Sequence, residues 1–356
     1  MYPQQTTSNL IIGAGLAGCL LAWQLKTCGL KVLLIGDSTG PTATQAAAGL
    51  INPVTGRWMT KSWRVDSLFP VADKTYAALE TQFGQPLFHP VSARRFFQNG
   101  EDYRRAGRRS RNPRYADVLG PVDAAGTIAT PGIADPFGSI EIRRAAWVDL
   151  PKLIGLIRAD FAAHDSYLDT RFDYDALHRS DAGWNYKGIQ VSRIIFCEGT
   201  GIRANPWFQH LPLKPIKGET LALTCPSLNL GTGIYHSTKW LLAYGDGRFR
   251  LGATYDEADL SDRPTDAARN DLLNDAAGFI DPKYAFRVAA QFTGHRPSTP
   301  DTHPLVGTHP TESGLYLFNG LGSKGASVAP WLSQHFVDHL LHGMPLDPEV
   351  DLQRFL

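Results

Sequence analysis

The amino-acid sequence predicts an α/β fold in which a Rossmann-like domain, discontinuous in the chain, carries an inserted antiparallel β-rich α+β domain. Two observations predict it. Patterns of strand, helix and parallel strand occur at both ends of the 356-residue chain. Between them, residues 213–255 alternate apolar and polar side chains, as antiparallel strands do. We expect the Rossmann-like domain to comprise residues 1–87, 147–214 and 291–356, and the inserted domain residues 88–146 and 215–290.

The N-terminal βαβ unit is the most regular part of the sequence. Residues 9–12 predict a short buried strand, residues 17–26 a helix, and residues 31–35 a second apolar strand. Cys28-Gly29 follows the helix, where glycine suits a left-handed cap. Farther along, residues 68–83 have helical periodicity. Residues 149–164 form an amphipathic pattern with Asp149 as the expected N-cap.

The remaining elements alternate in type. Residues 191–197 predict a buried strand, and the turn at residues 245–247 separates two antiparallel strands. A helix is expected over residues 267–279 and a strand over 315–318. A glycine loop at 320–325 then precedes a helix over 327–342. Residues 36–53, rich in small residues, predict a loop or a helix start.

The loop between the first strand and helix has the pattern G-x-G-x-x-G, at Gly13, Gly15 and Gly18. The first glycine permits the tight turn, the second lets the backbone approach a pyrophosphate, and the third lets helix and strand pack closely. Unpaired N–H groups at the helix N-terminus would face the phosphates. The pattern therefore predicts a dinucleotide site. The acidic residue that usually binds the ribose is displaced, because Gly36 ends the second strand and Asp37 follows it.

Composition excludes several classes of protein. The formal net charge of +1 argues against a general polyanion-binding protein. The four cysteines show no metal-binding spacing, so we expect no metal. No secretory signal and no apolar stretch of membrane-spanning length is visible, which predicts a cytoplasmic protein.

One segment departs from the nearly neutral charge of the chain. Its six arginines lie close together: Arg104, Arg105, Arg108, Arg109, Arg111 and Arg114. We expect a solvated surface loop there, with binding of a polyanion such as tRNA as the alternative.

Six motifs in order along the chain resemble the D-amino-acid-oxidase-like family of FAD-dependent oxidoreductases. They are GAGLAG at 13–18, TQAAAGLINP at 44–53, IIFCEGTG at 194–201, PIKGE at 215–219, GHRP at 294–297 and NGLGSKG at 319–325. That family includes glycine oxidases, sarcosine oxidases and the oxidase part of the enzyme that modifies the wobble uridine of tRNA. Gly36 and Glu198 depart from its pattern.

The resemblance implies non-covalently bound FAD and an inserted domain that binds substrate. The residues expected to contact the cofactor are Gly13, Ala14, Gly15, Leu16, Ala17, Gly18, Asp37, Ser38, Thr44, Ala46, Ala47, Gly49, Ile51, Cys197, Glu198, Gly199, Gly294, Arg296, Gly320, Gly322, Ser323, Lys324, Gly325 and Ala326. The helix after the last glycine loop would direct its partial positive charge at the flavin.

The resemblance also implies the chemistry. Arg296 would pair with a substrate carboxylate, and Trp240, Tyr235 and Tyr244 are the aromatic residues expected over the substrate. The substrate is expected to be a small amine or amino acid that transfers a hydride to flavin N5, leaving an imine that water hydrolyses. The alternatives are a tRNA wobble-uridine modification oxidase and a non-catalytic flavin-binding protein. Arg250 stands where some relatives have an oxygen-activating lysine, so molecular oxygen and another electron acceptor both remain open.

Overall fold

The computed structural model describes residues 6–127, 130–181 and 183–356. Their α-helices are α1 (Leu16–Thr27), α2 (Ala43–Ala46), α3 (Val65–Phe83), α4 (Gly100–Ser110), α5 (Leu150–Ala163), α6 (Asp266–Ala277) and α7 (Gly325–His342). The strands up to the middle of the chain are β1 (Thr6–Ile12), β2 (Val32–Ile35), β3 (Leu50–Ile51), β4 (Val54–Thr55), β5 (Thr60–Lys61), β6 (Phe88–Phe96), β7 (Leu119–Asp123), β8 (Ser139–Val148) and β9 (Tyr167–Leu168). The later strands are β10 (Leu177–Ser180), β11 (Gly183–Tyr186), β12 (Ile189–Phe196), β13 (Lys214–Thr224), β14 (Thr232–His236), β15 (Trp240–Gly245), β16 (Arg248–Gly252), β17 (Arg287–Ser298), β18 (Leu305–Thr308) and β19 (Leu315–Asn319).

The first sheet is the Rossmann-like one. Its strand order is β10-β11-β12-β1-β2-β9, with β19 beside β12 and β18 beside β19. The pairs β9–β2, β2–β1, β1–β12 and β12–β19 are parallel. Such strands are covered on both faces, and Leu10, Ile11 and Ile12 are accordingly at most 2% exposed. Helices α1, α3, α5 and α7 contribute to the core on one side of this sheet.

The second sheet is almost entirely antiparallel. Its order is β17-β13-β16-β15-β14-β6-β8-β3, with β7 beside β8, and only β14 and β6 among its described pairs run parallel. Helix α6 packs against β13 and β16, where the apolar side chains of one face form a separate small core. The fold is thus the predicted α/β type with a second, antiparallel sheet. The division into domains at the expected boundaries stays a prediction.

Four of the six arginines of the basic segment lie on a helix, so the expectation of a surface loop is wrong for them. Helix α4 begins after Asn99, whose side chain accepts hydrogen bonds from the backbone N–H groups of Glu101 and Asp102. Acidic residues in its first turn and arginines in its last turn both complement the helix dipole. Only Arg105 and Ala106 are buried on it. The helix therefore has no apolar stripe that the sequence could reveal.

Among the residues that the structure describes, no helix is both long and apolar enough to cross a membrane.

Candidate functional site

A cavity of about 370 Å³ lies between the two sheets. Its walls combine the loops that follow β1, β2, β12 and β19 with residues of β13, β15 and β17. Of the residues expected at the site, the following line it: Gly13, Ala14, Gly15, Leu16, Ala17, Asp37, Thr44, Ala46, Ala47, Gly49, Cys197, Glu198, Gly199, Trp240, Gly294, Arg296, Gly322, Ser323, Gly325 and Ala326. Gly18, Ser38, Ile51, Gly320, Lys324, Tyr235 and Tyr244 are not part of this lining. The structure therefore brings together most of a set scattered over more than 280 residues of chain.

The three glycines of the first loop have distinct surroundings. Gly13 has φ +104°, and a Cβ there would overlap the carbonyl oxygen of Cys197. A Cβ at Gly18 would overlap the carbonyl oxygen of Gly13. By contrast, a Cβ at Gly15 would meet only the Thr44 hydroxyl oxygen, at 3.6 Å. The outer two glycines are thus required by protein packing, and the middle one presents bare backbone to the cavity.

The end of β2 explains the displaced acidic residue. A Cβ at Gly36 would stand 2.5 Å from the Cβ of Ala14, so packing against the glycine loop leaves no room for a side chain there. Asp37 lines the cavity, and one of its carboxylate oxygens accepts hydrogen bonds from the backbone and hydroxyl of Thr39. These bonds lower the pKa of Asp37. Ser38 turns away and donates to Asp169.

Arg158 of α5 is a cavity residue that the sequence did not indicate. Its Nε and Nη2 both donate to the carbonyl oxygen of Ala14, at 2.9 and 2.5 Å. The guanidinium therefore fixes the glycine loop from outside the βαβ unit. No sequence signal could have found it, because the two residues are 144 positions apart and Arg158 is one of several charged residues along an amphipathic helix.

The small-residue segment forms the opposite side of the cavity. The Thr44 hydroxyl accepts a hydrogen bond from the backbone N–H of Leu16, at 3.3 Å, joining this segment to the start of α1. A Cβ at Gly49, where φ is +65°, would overlap the carbonyl oxygen of Val148. Ile51 instead pairs with Ala146 in the second sheet. The segment is therefore held close to both sheets by its lack of bulk.

Arg250 lies behind this segment rather than in the cavity lining. Its guanidinium donates to the Thr220 hydroxyl and to the carbonyl oxygen of Ala46, and it stacks 3.7 Å from the centre of the Phe292 ring. Burial lowers the pKa of Arg250. The residue therefore supports the cavity wall.

Glu198 is half-buried just after β12, where the family pattern has a small residue. Its two carboxylate oxygens accept hydrogen bonds from the Tyr174 hydroxyl and, at 2.8 Å, from the Asn205 amide. Burial raises the pKa of Glu198 and places that of the neighbouring Cys197 thiol well above its ordinary range. This carboxyl group is held by the protein on both oxygens and closes one side of the cavity.

Two helix N-termini point into this one cavity. Helix α1 begins after Gly15 and α7 after Lys324, and neither has a side-chain cap or an acidic residue in its first turn. Gly325 and Ala326 line the cavity, while Gly320 has φ +76° and packs against Leu305. The Thr44 hydroxyl accepts the Leu16 N–H, and the N-cap residues Gly15 and Lys324 provide no side-chain acceptor for the other first-turn N–H groups, which favours bound negative charge. The arrangement fits a dinucleotide whose pyrophosphate lies at one terminus and whose redox-active ring lies at the other.

Arg296 stands at the end of the cavity formed by the second sheet. Its Nη1 donates to the carbonyl oxygens of Lys217 and Thr254, and its Nη2 donates to Thr254 as well, at 3.1 Å. Asp301, five residues farther along the chain, pairs with Arg354 at 2.7 Å. Within the described residues, no carboxylate lies within ion-pairing distance of Arg296. Burial lowers the pKa of this guanidinium, which remains a cation at any working pH.

The aromatic residue over Arg296 is Tyr255, which the sequence did not indicate. Its ring centre is 4.1 Å from the guanidinium carbon, and its side chain is 65% exposed at the cavity mouth. Trp240 lines the cavity as expected. Tyr235 donates its hydroxyl to the carbonyl oxygen of Leu230, and Tyr244 packs edge-on against Trp147, so both are engaged away from the cavity.

The segment that carries Tyr255 is anchored by a buried lysine. The Lys217 amine, whose side chain is 1% exposed, donates to Asp259 at 2.6 Å and to the carbonyl oxygen of Arg263 at 2.7 Å. The ion pair and hydrogen bonds lower the pKa of Asp259. Residues 254–263 therefore form a fixed strap across the end of the second sheet, with Tyr255 at its start.

The fold and this cavity define a flavoprotein oxidoreductase, and comparison with known proteins gives the family. Residues 9–339 match the family model described as FAD dependent oxidoreductase, so the chain belongs to that family and is an FAD-dependent enzyme. It is 25% identical over 350 residues to the glycine oxidase of Pseudomonas aeruginosa, covering 90% of this chain and 91% of that protein.

Two further comparisons extend this result. The chain is 24% identical over 368 residues to the tRNA 5-methylaminomethyl-2-thiouridine biosynthesis bifunctional protein of Marinobacter nauticus; the match covers 94% of this chain but only 56% of that protein. Among solved structures, glycine oxidase from Geobacillus kaustophilus superposes with a TM-score of 0.81 at 19% identity, covering 98% of both chains. Iminodiacetate oxidase from Chelativorans sp. BNC1 gives 0.79 at 23% identity with the same coverage. The structural matches establish the shared fold.

Proposed function

We propose that this FAD-dependent oxidoreductase oxidises a small amine or amino acid that carries a carboxylate. The observation that supports this most directly is the state of Arg296. Its described hydrogen bonds occupy both protons of Nη1 and one of Nη2, which leaves Nε–H and the second Nη2 proton. These two N–H groups form the parallel fork that matches a carboxylate.

Electrostatics favours the same ligand. A half-buried cation that lacks an acidic partner carries a desolvation penalty, which a bound anion offsets. A substrate carboxylate at Arg296 would supply that charge, and Tyr255 would cover the pair from solvent. The relatives named glycine oxidase and iminodiacetate oxidase take their names from amines that carry carboxylates, which agrees with this assignment.

The residues of the chain bind and orient the substrate. FAD, when bound, accepts the hydride from the carbon next to the substrate nitrogen, and the resulting imine is hydrolysed by water. Arg296 fixes the carboxylate, while Trp240 and Tyr255 limit the positions open to the rest of a small substrate and exclude water. The N-terminus of α7 places partial positive charge at the cavity, where it favours an electron-rich cofactor ring.

A nucleic-acid substrate is the alternative, because one relative is named for the biosynthesis of a methylaminomethyl nucleoside in tRNA. The small-substrate proposal is preferred because Tyr255 and the anchored strap narrow the approach to Arg296.

The electron acceptor is part of the proposal too. The guanidinium of Arg250 is engaged in hydrogen bonds behind the cavity wall. We therefore expect the reduced enzyme to react slowly with oxygen and to work as a dehydrogenase.

The test is anaerobic reduction of the bound flavin, followed as loss of its yellow absorption. We expect reduction by glycine, sarcosine, iminodiacetate or D-amino acids. Reduction only by tRNA that carries a carboxymethylated or methylaminomethylated wobble uridine would support the alternative. Absence of reduction by every carboxylated amine and by the modified tRNA would overturn both.

A further inference from the structure

Helix α4 divides its arginines between two faces. Residues 100–115 contain six arginines and two acidic residues, in a chain whose net charge is only +1. Arg105 is 9% exposed, pairs with Glu101 and Asp102, and donates to the carbonyl oxygen of Arg57. Arg109 donates to the carbonyl oxygen of Trp58. These two arginines therefore attach the helix to the β4–β5 hairpin.

The two remaining arginines of the helix, and the C-cap residue Arg111, face solvent. Arg104, Arg108 and Arg111 are exposed and follow the spacing i, i+4, i+7, so they form one stripe that rises about 10 Å along the axis. Within the described residues, none of the three forms an ion pair with an acidic side chain. Like charges at this spacing destabilise a helix by a few tenths of a kcal/mol per pair, roughly. Arg108 complements the helix dipole and Arg111 donates its Nε–H to the carbonyl oxygen of Gly107, but no acidic side chain of the described residues neutralises the charge of the stripe.

An exposed aromatic residue lies on the hairpin to which Arg105 and Arg109 attach the helix. Trp58 lies at the tip of the β4–β5 hairpin with 52% of its surface exposed. The guanidinium groups of Arg57 and Arg105 lie 4.7 and 4.5 Å from its ring centre, which fixes the ring in place. A half-exposed indole on the hairpin that α4 packs against, together with a row of guanidinium groups that lack acidic partners, combines a stacking surface with positive charges for a phosphate backbone.

From this geometry we infer that α4 and the β4–β5 hairpin form a docking surface for an unpaired stretch of nucleic acid. The stripe would contact successive phosphates, and Trp58 would stack on a base. Stacking favours unpaired nucleotides over a duplex, whose bases are already stacked. An acidic protein segment would use the arginines but not the indole face. This surface does not depend on the proposed substrate.

The surface lies near the cavity. Leu50 lines the cavity, and Trp58 follows eight residues later. Even a fully extended chain would separate them by no more than about 28 Å.

Fluorescence anisotropy of the FAD-loaded protein with labelled 12-nucleotide RNA and DNA strands tests the inference. We expect the triple variant Arg104→Glu/Arg108→Glu/Arg111→Glu to bind the strands at least 30-fold more weakly. When the same three residues are changed to Gln instead, we expect the slope of log K against the logarithm of salt concentration to become shallower by about 2. Trp58→Ala should weaken binding about tenfold with an unchanged salt slope. Flavin content reports folding in each variant. Equal binding of RNA and DNA would show that the surface contacts the phosphate backbone that both share. Tighter binding of RNA would show that it also contacts the 2′-hydroxyl.

The matched control replaces three exposed arginines elsewhere with Glu, which gives the same change in net charge. These residues are Arg203, Arg263 and Arg287. It should retain at least a third of the affinity. Equal weakening by the control would show that only overall charge matters, and would overturn the inference. Unchanged binding in the α4 variants, or preferential binding of polyglutamate or of vesicles with anionic lipid, would overturn it as well. None of these readouts involves turnover, so the outcome is separate from that of the proposed oxidation.

Discussion

The guanidinium group of Arg296 and the ring of Tyr255 are stacked at the mouth of the cavity, with 4.1 Å between the guanidinium carbon and the ring centre. One residue lies on β17 and the other on the strap that follows β16, and the anchored Lys217 holds that strap in place. The contact leaves the edge of the guanidinium that bears Nε–H open to a ligand.

Replacement of Arg296 by Met should abolish recognition of carboxylates while FAD is retained. Loss of a bidentate, charge-assisted pair costs on the order of 3 kcal/mol, equivalent to roughly 100-fold in affinity. Binding of a non-reactive carboxylate such as acetate, measured by its perturbation of the flavin spectrum, should weaken by that amount. Arg296→Lys, which keeps the charge but loses the fork, should be intermediate. Equal acetate affinity in all three proteins would remove Arg296 from the binding site.

Tyr255 should act through its ring and not through its hydroxyl. Tyr255→Phe keeps the stack and should leave kcat/KM within a factor of two. Tyr255→Ala removes a cation–π contact of about 1–2 kcal/mol and should lower kcat/KM roughly 5- to 30-fold, mainly by raising KM. Steady-state kinetics of the two variants measures the difference. A large loss in the Phe variant would show that the hydroxyl contacts the substrate.

The first glycine loop separates cofactor binding from folding. Gly15→Ala adds a methyl group that the apoprotein tolerates, since only Thr44 is near, yet the methyl would enter the dinucleotide site. We expect an unchanged Tm for the apoprotein and a Kd for FAD raised at least tenfold. Gly18→Ala should lower the apoprotein Tm instead, because its methyl overlaps the Gly13 carbonyl. A Gly15→Ala protein that binds FAD normally would contradict the assignment of this loop.

His236 should make stability depend on pH in the acid range. Burial lowers the pKa of its imidazole to about 4 in the folded chain, against an ordinary value of 6.5. Between these values the unfolded chain binds more protons, so the free energy of unfolding falls as the pH drops from 6.5 towards 4. His236→Gln should flatten this part of the profile, measured by urea unfolding at pH 4.5 to 7. Identical slopes in both proteins would exclude His236 as the cause.

Local structure was the part of the fold that could best be predicted from the sequence. The N-terminal βαβ unit follows from apolar runs and glycine spacing over some 30 residues, and the observed α1 and β2 lie within one residue of the expected ends. Helix α4 was missed because its buried side is made of Arg105 and Ala106, which give no apolar periodicity.

Only those site residues that belong to a sequence motif could be predicted from the sequence. Arg296 and the glycine loops were indicated by their patterns, and the structure places them around one cavity. Arg158 and Tyr255 were not, because each reaches the site through packing between distant segments. Tyr235 and Tyr244 were expected on the strength of proximity in sequence, but Tyr235 packs on the opposite face of the sheet, and Tyr244, on the same face as Trp240, packs against Trp147.

The most direct test of the account compares anaerobic flavin reduction by matched amines with and without a carboxylate, such as sarcosine and dimethylamine, in the native enzyme and in Arg296→Met. We predict that the native enzyme is reduced at least 100-fold faster by the carboxylated amine. We also predict that the ratio of the two rates approaches one in the variant. Equal rates in the native enzyme, or an unchanged ratio in the variant, would contradict the claim that Arg296 selects the substrate through its carboxylate.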